Sequence, residues 1–457
     1  MRDRSAVVWT RINVKPVKMG AFYVTADEAR FTYEPNYLEL QLPGLGCVFS
    51  PDNFHDATIT FQRNEYFDFH PPIQALVPPS SDGNFQRELV LQYLKTQGVE
   101  SKKGFDTDWE ILMSSGHGGI GHLDIFPDDA NAVQWYSSPV KNELHTITDD
   151  FGFSLKEFMT WFDHDAEAVL DIIGPTPSVG GAIPKLLLSI PKDGWNNQIA
   201  LPTRFGDTER TDVVLKFEQT SNYPGIVELE SLALDIHKQA GFDVPRHWKV
   251  KVGELDAIAV ERFDRKNNIP QFTESIYSIL ASGSKEITNN YSATFDMVGR
   301  AIDNSKLQLV DDRTASKEHL FSRFLMSLVT GNGDLHLENL SLLTVDGKTT
   351  FSPVYDPTPM RAYSKHNMLS PMPFGNYGGY DDKLDKTVGF SDALQTFSKS
   401  LGLNKNKREE LIQQAIEVTK NYPDKIQELK TLPDENKNNL IKIHNDVVVK
   451  LKKLRSE

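Results

Sequence analysis

The chain is short of cysteine, of long apolar runs and of positive charge, and each shortage excludes something. Cys47 is the only cysteine in 457 residues, which rules out an internal disulfide and any multi-cysteine zinc site. No stretch approaches the roughly 20 apolar residues of a membrane-spanning helix, and no apolar core of a signal peptide follows Met1-Arg2-Asp3-Arg4. The expectation is a chain without membrane attachment, in a reducing, cytoplasmic setting. Lys and Arg number 49 against 63 Asp and Glu, a net charge of −14, which argues against strong non-specific nucleic-acid binding by the chain alone. Internal repeats and low-complexity tracts are absent as well.

What is present is ordinary globular material, 39% hydrophobic and 25% charged, enough for sizeable cores. The chemistry concentrates in Gly331-Asn332-Gly333-Asp334-Leu335-His336-Leu337-Glu338-Asn339, followed by Val354-Tyr355-Asp356. Phosphoryl transfer asks for a carboxylate to orient the acceptor hydroxyl, oxygen ligands for Mg²⁺, and cations on the phosphates. Asp334, Asn339 and Asp356 could supply the first two, in the Asp-x4-Asn…Asp order. Leu320, Phe321, Phe324, Leu325, Leu328 and Val329 fall on one face of a buried helix, which Gly331-Asn332-Gly333 then ends. A strand over 340–345, an Asp346-Gly347 turn and a returning strand over 348–354 make a hairpin that brings Asp356 back towards Asn339. The Asp-x4-Asn spacing alone reads better as the decoration of a helix-ending turn; with the hairpin and the second Asp, the catalytic reading leads, Asn339 and Asp356 chelating one ion.

Upstream, residues 6–9, 21–24 and 31–33 read as short strands, Pro72, Pro78 and Pro79 mark a loop, and 88–97 reads as a helix. The glycine-rich Gly116-His117-Gly118-Gly119-Ile120-Gly121-His122 is read as a bend without chemistry. A helix is expected over 153–173. Ser178-Val179-Gly180-Gly181-Ala182-Ile183-Pro184-Lys185 then opens onto a strand over 186–190, a turn able to cradle phosphate with backbone N–H groups. Lys216 sits on an apolar strand over 213–217, with Glu230 on the following helix as a candidate partner, and 257–260 is a further strand running into Glu261-Arg262-Phe263-Asp264-Arg265. Beyond this the pattern is mainly helical, with Asn406 as the expected N-cap of a helix over 407–419 and a long terminal helix over 438–454.

In order along the chain, Ser178-Val179-Gly180-Gly181-Ala182 with Lys185, Val214-Leu215-Lys216, Ala259-Val260-Glu261-Arg262-Phe263-Asp264-Arg265, Gly333-Asp334-Leu335-His336 with Asn339, and Val354-Tyr355-Asp356 resemble the HipA family of toxin kinases. The resemblance implies an α+β, two-lobed kinase-like fold of the lipid-kinase type. Its expected parts are an N-terminal α+β subdomain over 1–150, a nucleotide-binding small lobe over 151–265, and a mainly helical C-terminal lobe over 266–457. It implies a serine/threonine protein kinase using ATP and Mg²⁺, with Asp334 as catalytic base and Asn339 and Asp356 on the metal. Gly180, Gly181, Lys185, Lys216, Glu261, Arg262, Phe263, His336 and Tyr355 would surround the nucleotide, and Ser178 would be autophosphorylated. Family targets include aminoacyl-tRNA synthetases, and the implied partner is a small helix-turn-helix antitoxin that brings DNA indirectly.

Leu335 and Glu338 depart from the family's loop, and Ile183-Pro184 from its glycine turn, where Pro184 removes a backbone donor. Two other readings stand beside the protein kinase: a small-molecule kinase of the aminoglycoside or choline type, and a non-catalytic subunit of an antitoxin–DNA complex.

Overall fold

The computed structural model describes the chain outside residues 1–2, 13, 54–57, 82, 101–103, 139–142, 148–169, 171, 174–182, 205–208, 382–384 and 457. Ser178, Gly180, Gly181 and most of the helix expected over 153–173 lie outside the described residues. The chain divides into two compact units: Met1–Glu218 with Arg246–Glu274 and Ala281–Lys285, and Gln219–Pro245 with Ser275–Leu280 and Glu286–Glu457.

The first unit holds two sheets. Strands β1 (Arg4–Thr10), β2 (Val17–Val24), β3 (Glu28–Tyr33), β4 (Thr58–Gln62) and β5 (Asp124–Phe126) pair in the order β4-β3-β2-β1-β5. Residues 17–24 and 28–33 alternate buried and exposed along much of their length, the mark of a sheet with one face on the core. Helices α1 (Phe85–Thr96) and α2 (Phe105–Ser115) accompany it; Asn84 caps α1 by accepting from the Arg87 N–H at 2.9 Å. The prolines expected in a loop include a turn of helix at Pro71–Gln74.

The second sheet is antiparallel, with β6 (Lys185–Pro191), β7 (Arg210–Phe217), β8 (His247–Val252) and β9 (Leu255–Glu261) in the order β8-β9-β7-β6. Its inner strand β7 is buried over nearly its whole length, and β9 is buried over its Ala257–Val260 stretch. Val8, Phe22, Phe31, Trp109, Leu188, Val213 and Ala259 belong to one continuous core that serves both sheets.

The second unit is mainly helical, with α3 (Ile226–Gln239), α4 (Phe295–Ile302), α5 (Arg313–Thr330), α6 (Phe390–Ser400), α7 (Lys405–Val418) and α8 (Asp434–Ser456). Its axis is α5. Asp312 caps its start by accepting from the Ala315 N–H, and Gly331 ends it in the left-handed region at φ 75°. The last carbonyls of α5 are satisfied from outside: Tyr422 donates to Thr330 at 3.0 Å and the His444 ring nitrogen Nδ1 lies 2.8 Å from the Val329 oxygen. Phe324, on the same helix, meets Phe295 and Phe374 at 4.7 Å each and Phe397 at 5.3 Å between ring centroids.

Strands β10 (Ser341–Val345) and β11 (Lys348–Phe351) form the expected hairpin. Its Asp346-Gly347 turn has φ 51° and 73°, the paired left-handed angles that suit the twist of two strands. The returning strand ends at Phe351 rather than at 354, and two helix starts also differ from expectation. The N-cap of α7 is Asn404, whose side chain accepts from the Lys407 N–H at 2.9 Å, so the helix begins before Asn406. The terminal helix starts at Asp434, because Asp434 and Glu435 take the first turn that the apolar periodicity does not mark.

Candidate active site

The loop leaving α5 is built by its own polar groups. Asn332, buried at the turn, accepts from the Asp334 N–H at 2.9 Å and so fixes the backbone of Asp334. Asn339 closes the loop from the other end, its Nδ2 donating to the Asp334 carbonyl at 2.7 Å. Between them His336 is wholly buried, and its Nδ1 accepts from the Glu338 N–H at 3.2 Å. That bond places the ring proton on Nε2, which faces the Asp334 carboxylate at 3.9 Å. The Asp334 carboxylate itself is about one-third exposed and accepts from the Tyr291 hydroxyl at 3.2 Å.

Asp356 reaches this loop through the hairpin and one arginine. Nη2 of Arg323, buried inside α5, donates to the Asn339 carbonyl at 2.8 Å and to the Tyr355 carbonyl at 3.4 Å. One nitrogen therefore gathers the backbones of Asn339 and of the residue preceding Asp356. Asp356 is buried with φ 50°, a conformation that costs a non-glycine residue on the order of 1 kcal/mol and recurs where a side chain must be aimed. Its Oδ1 lies 3.4 Å from the Thr358 hydroxyl.

The residues suit a hard divalent cation. Asn339 is 1% exposed, yet its Oδ1 has no hydrogen-bond partner, an orphan that a buried amide oxygen does not normally remain. With the Asp356 carboxylate it offers the oxygen-only donor set that Mg²⁺ prefers when phosphates complete its shell. No cluster of three or more His, Cys, Asp or Glu able to hold a metal by itself occurs among the described residues.

In the first unit, Lys185 on β6 and Lys216 on β7 stand directly opposite each other, both buried. Glu261 pairs with Arg246 at 2.7 and 3.0 Å, and Phe263 is half-buried.

Two residues expected near the nucleotide have their polar side-chain groups engaged within the fold. The Arg262 guanidinium is turned inward: it pairs with Asp264 at 2.9 Å and donates to the carbonyls of Gly118 and Gly119, leaving it 1% exposed. The Tyr355 phenol faces the hairpin, bonding the Ser341 hydroxyl at 2.6 Å and donating to the Glu338 carbonyl. Both polar heads are spent within the fold.

Arg265 joins Asp264 from the other side, at 2.6 Å, and donates to the carbonyls of Gly119 and Gly121, while Gly121 returns its N–H to Asp264 at 2.8 Å. The glycine-rich bend over 116–122 is thus the socket of a buried Arg262–Asp264–Arg265 cluster. Burial alone would raise the Asp264 carboxyl, but the two guanidinium charges outweigh it and hold it at about 2.

Residue reasoning missed Arg323, Tyr291 and Asn290. Arg323 was visible as a lone cation inside the apolar run 320–329. Asn290 accepts from the Leu337 N–H and donates to the Glu338 carboxylate, both at 3.1 Å, so the charge at Glu338 is held by an amide. Nothing local marks Asn290 or Tyr291.

Asp334 and Asn339 lie on the loop after α5, and Asp356 follows the β10–β11 hairpin, in a protein whose mixed α+β fold is kinase-like. The family model described as HipA-like C-terminal domain matches residues 177–422, more than half of the chain, and the chain belongs to the HipA family. A Haemophilus influenzae protein with a kinase name is 25% identical over 290 residues, 58% of this chain and 78% of that one. The serine/threonine-protein kinase toxin HipA of Shewanella oneidensis is 26% identical over 269 residues, 56% of this chain and 58% of the toxin. Among solved structures, the Shewanella oneidensis MR-1 complex of HipA, HipB and operator DNA matches with a TM-score of 0.63 at 17% identity, covering 96% of this chain and 98% of that one. The two share a fold.

Proposed function

We propose that this protein is a HipA-type kinase that moves the γ-phosphoryl group of ATP to a serine or threonine hydroxyl of a protein. The observation that carries the reading is the orphan Oδ1 of Asn339, buried in a loop tied by Arg323 to the residue before Asp356. Asp334 accepts the proton as the acceptor oxygen attacks phosphorus, a contribution of about 10²–10⁴ in rate for a positioned base. The Nε2 side of the buried His336 ring faces that carboxylate at 3.9 Å. Lys185 and Lys216 take the phosphate charge. A divalent cation on Asn339 and Asp356 would withdraw charge from the β- and γ-phosphates.

The backbone at Glu261 and the ring of Phe263 are assigned to the adenine, and Ser178 to autophosphorylation. An aminoacyl-tRNA synthetase is the first protein acceptor to try. The relative crystallised with HipB and operator DNA supports a small helix-turn-helix antitoxin as partner, with DNA reached through it.

The test is incubation of the full chain with Mg²⁺ and γ-labelled ATP, alone and with candidate synthetases, followed by site mapping. Label is expected on protein serine or threonine and is expected to fall at least about 100-fold in Asp334→Ala and Asp356→Ala. Undiminished labelling in either variant overturns the assignment.

A further inference from the structure

We propose that Tyr291 occupies the acceptor position at Asp334, so that any hydroxyl to be phosphorylated must first displace its phenol; the inference rests on Asp334 being the base. The Tyr291 hydroxyl donates to Asp334 Oδ1 at 3.2 Å, within the reach at which a base takes a proton from an alcohol. It is the bond an acceptor serine would have to make.

The phenol is placed there by more than one contact. Its ring lies edge-on to the buried His336, 5.1 Å between centroids at 81°. Its own N–H bonds the Asn289 side chain at 2.9 Å, and Asn290 beside it is bonded twice to the loop of Asp334. Burial and the nearby charges of Asp334 and Glu338 raise the phenol above its usual range, so it remains a neutral donor, as an alcohol is. Tyr291 is nevertheless 45% exposed, so a change of side-chain rotamer can free Asp334 without unfolding the loop.

The consequence is selectivity. Water and small alcohols meet an intramolecular competitor and gain nothing to offset it. A protein acceptor brings further contacts with which to push the phenol aside. Tyr291 thereby suppresses idle ATP hydrolysis and keeps transfer for acceptors that bind beyond their hydroxyl.

The probe is water, which needs no identified substrate. ATP hydrolysis by the full chain with Mg²⁺ is expected to rise roughly 3- to 10-fold in Tyr291→Phe, which keeps the ring on His336 and removes only the hydroxyl. A second readout needs no nucleotide: with ¹³Cζ-labelled tyrosine, the resonance that Tyr291→Phe deletes should shift in Asp334→Asn. Hydrolysis that does not rise in Tyr291→Phe, or a resonance indifferent to Asp334→Asn, overturns the inference. Hydrolysis equal in wild type and Asp334→Asn would instead remove Asp334 as the base.

Discussion

Arg323 and Asn339 are joined by a 2.8 Å hydrogen bond from a guanidinium buried inside α5 to a backbone carbonyl, and the same nitrogen also serves Tyr355. The backbones of Asn339 and of the residue before Asp356 are thus held by one buried side chain of α5. Arg323→Met should cost about 1.5–3 kcal/mol of stability through the carbonyls it leaves unbonded. It should also raise the Mg²⁺ concentration needed for half-maximal ATP turnover. Arg323→Lys keeps one donor and should fall between the two. Thermal melts and Mg²⁺ titrations check the order.

The amide of Asn339 does two jobs, and a carboxylate can do only one. Its Nδ2 donates to the Asp334 carbonyl, and in the proposed site Oδ1 is the atom left for the metal. Asn339→Asp should therefore set two acceptors against each other and destabilise the protein by about 1–3 kcal/mol, although it retains an oxygen for the metal. Asn339→Leu should abolish Mg·ATP binding measured by calorimetry. An Asn339→Asp variant as stable as the wild type would show that the loop does not depend on that bond.

Asp264 holds two buried guanidinium groups in the first unit. Asp264→Ala should lose about 3–5 kcal/mol, because it leaves uncompensated charge in the core. The pH dependence follows from a folded carboxyl at about 2, below the unfolded value of about 3.9. Its stabilisation is complete above about pH 4 and is lost as pH falls through 2. Urea unfolding of wild type and variant at pH 7 gives the first number, and acid titration of the wild type the second.

A different group acts at milder acidity. Burial lowers His70 and His122 in the first unit and His237 in the second to about 4, from the usual 6.5. Each is neutral in the folded state, while the unfolded chain takes up protons near pH 6.5. Stability should therefore be full above about pH 6.5 and decline as pH falls to 4, by at most about 3 kcal/mol per residue. Melting temperatures at pH 7, 5.5 and 4.5 should fall in that order; a flat profile would contradict it.

The start of α7 separates two nearby asparagines. Asn404→Ala should cost about 1 kcal/mol as a lost N-cap, and Asn406→Ala should change stability little. Equal effects on the melting temperature would return the cap to the position expected from sequence.

Much of the scaffold was legible before the structure. The strands around Val8, Phe22, Phe31, Leu188 and Ala259 and the helix ended by Gly331 follow from short-range periodicity and turn chemistry. The Asp346-Gly347 hairpin was readable because only a few residue types accept its two left-handed angles. The fates of Arg262 and Tyr355 were not. A charged or phenolic residue at the end of a strand reads the same whether it faces a ligand or folds inward. Arg262 folds inward because carbonyls from a glycine bend more than 140 positions away complete its shell.

By itself the sequence determined where most of the helices and strands run and the family of the chain, since each depends on patterns spanning a few residues to a few tens. Only the tertiary structure decided which partners those residues keep: Arg323 beneath Asn339, Tyr291 on Asp334 43 positions away, and Gly121 on Asp264 143 positions away. The physical reason is that a buried polar group must find a partner wherever packing happens to bring one. No local pattern specifies which distant segment that will be.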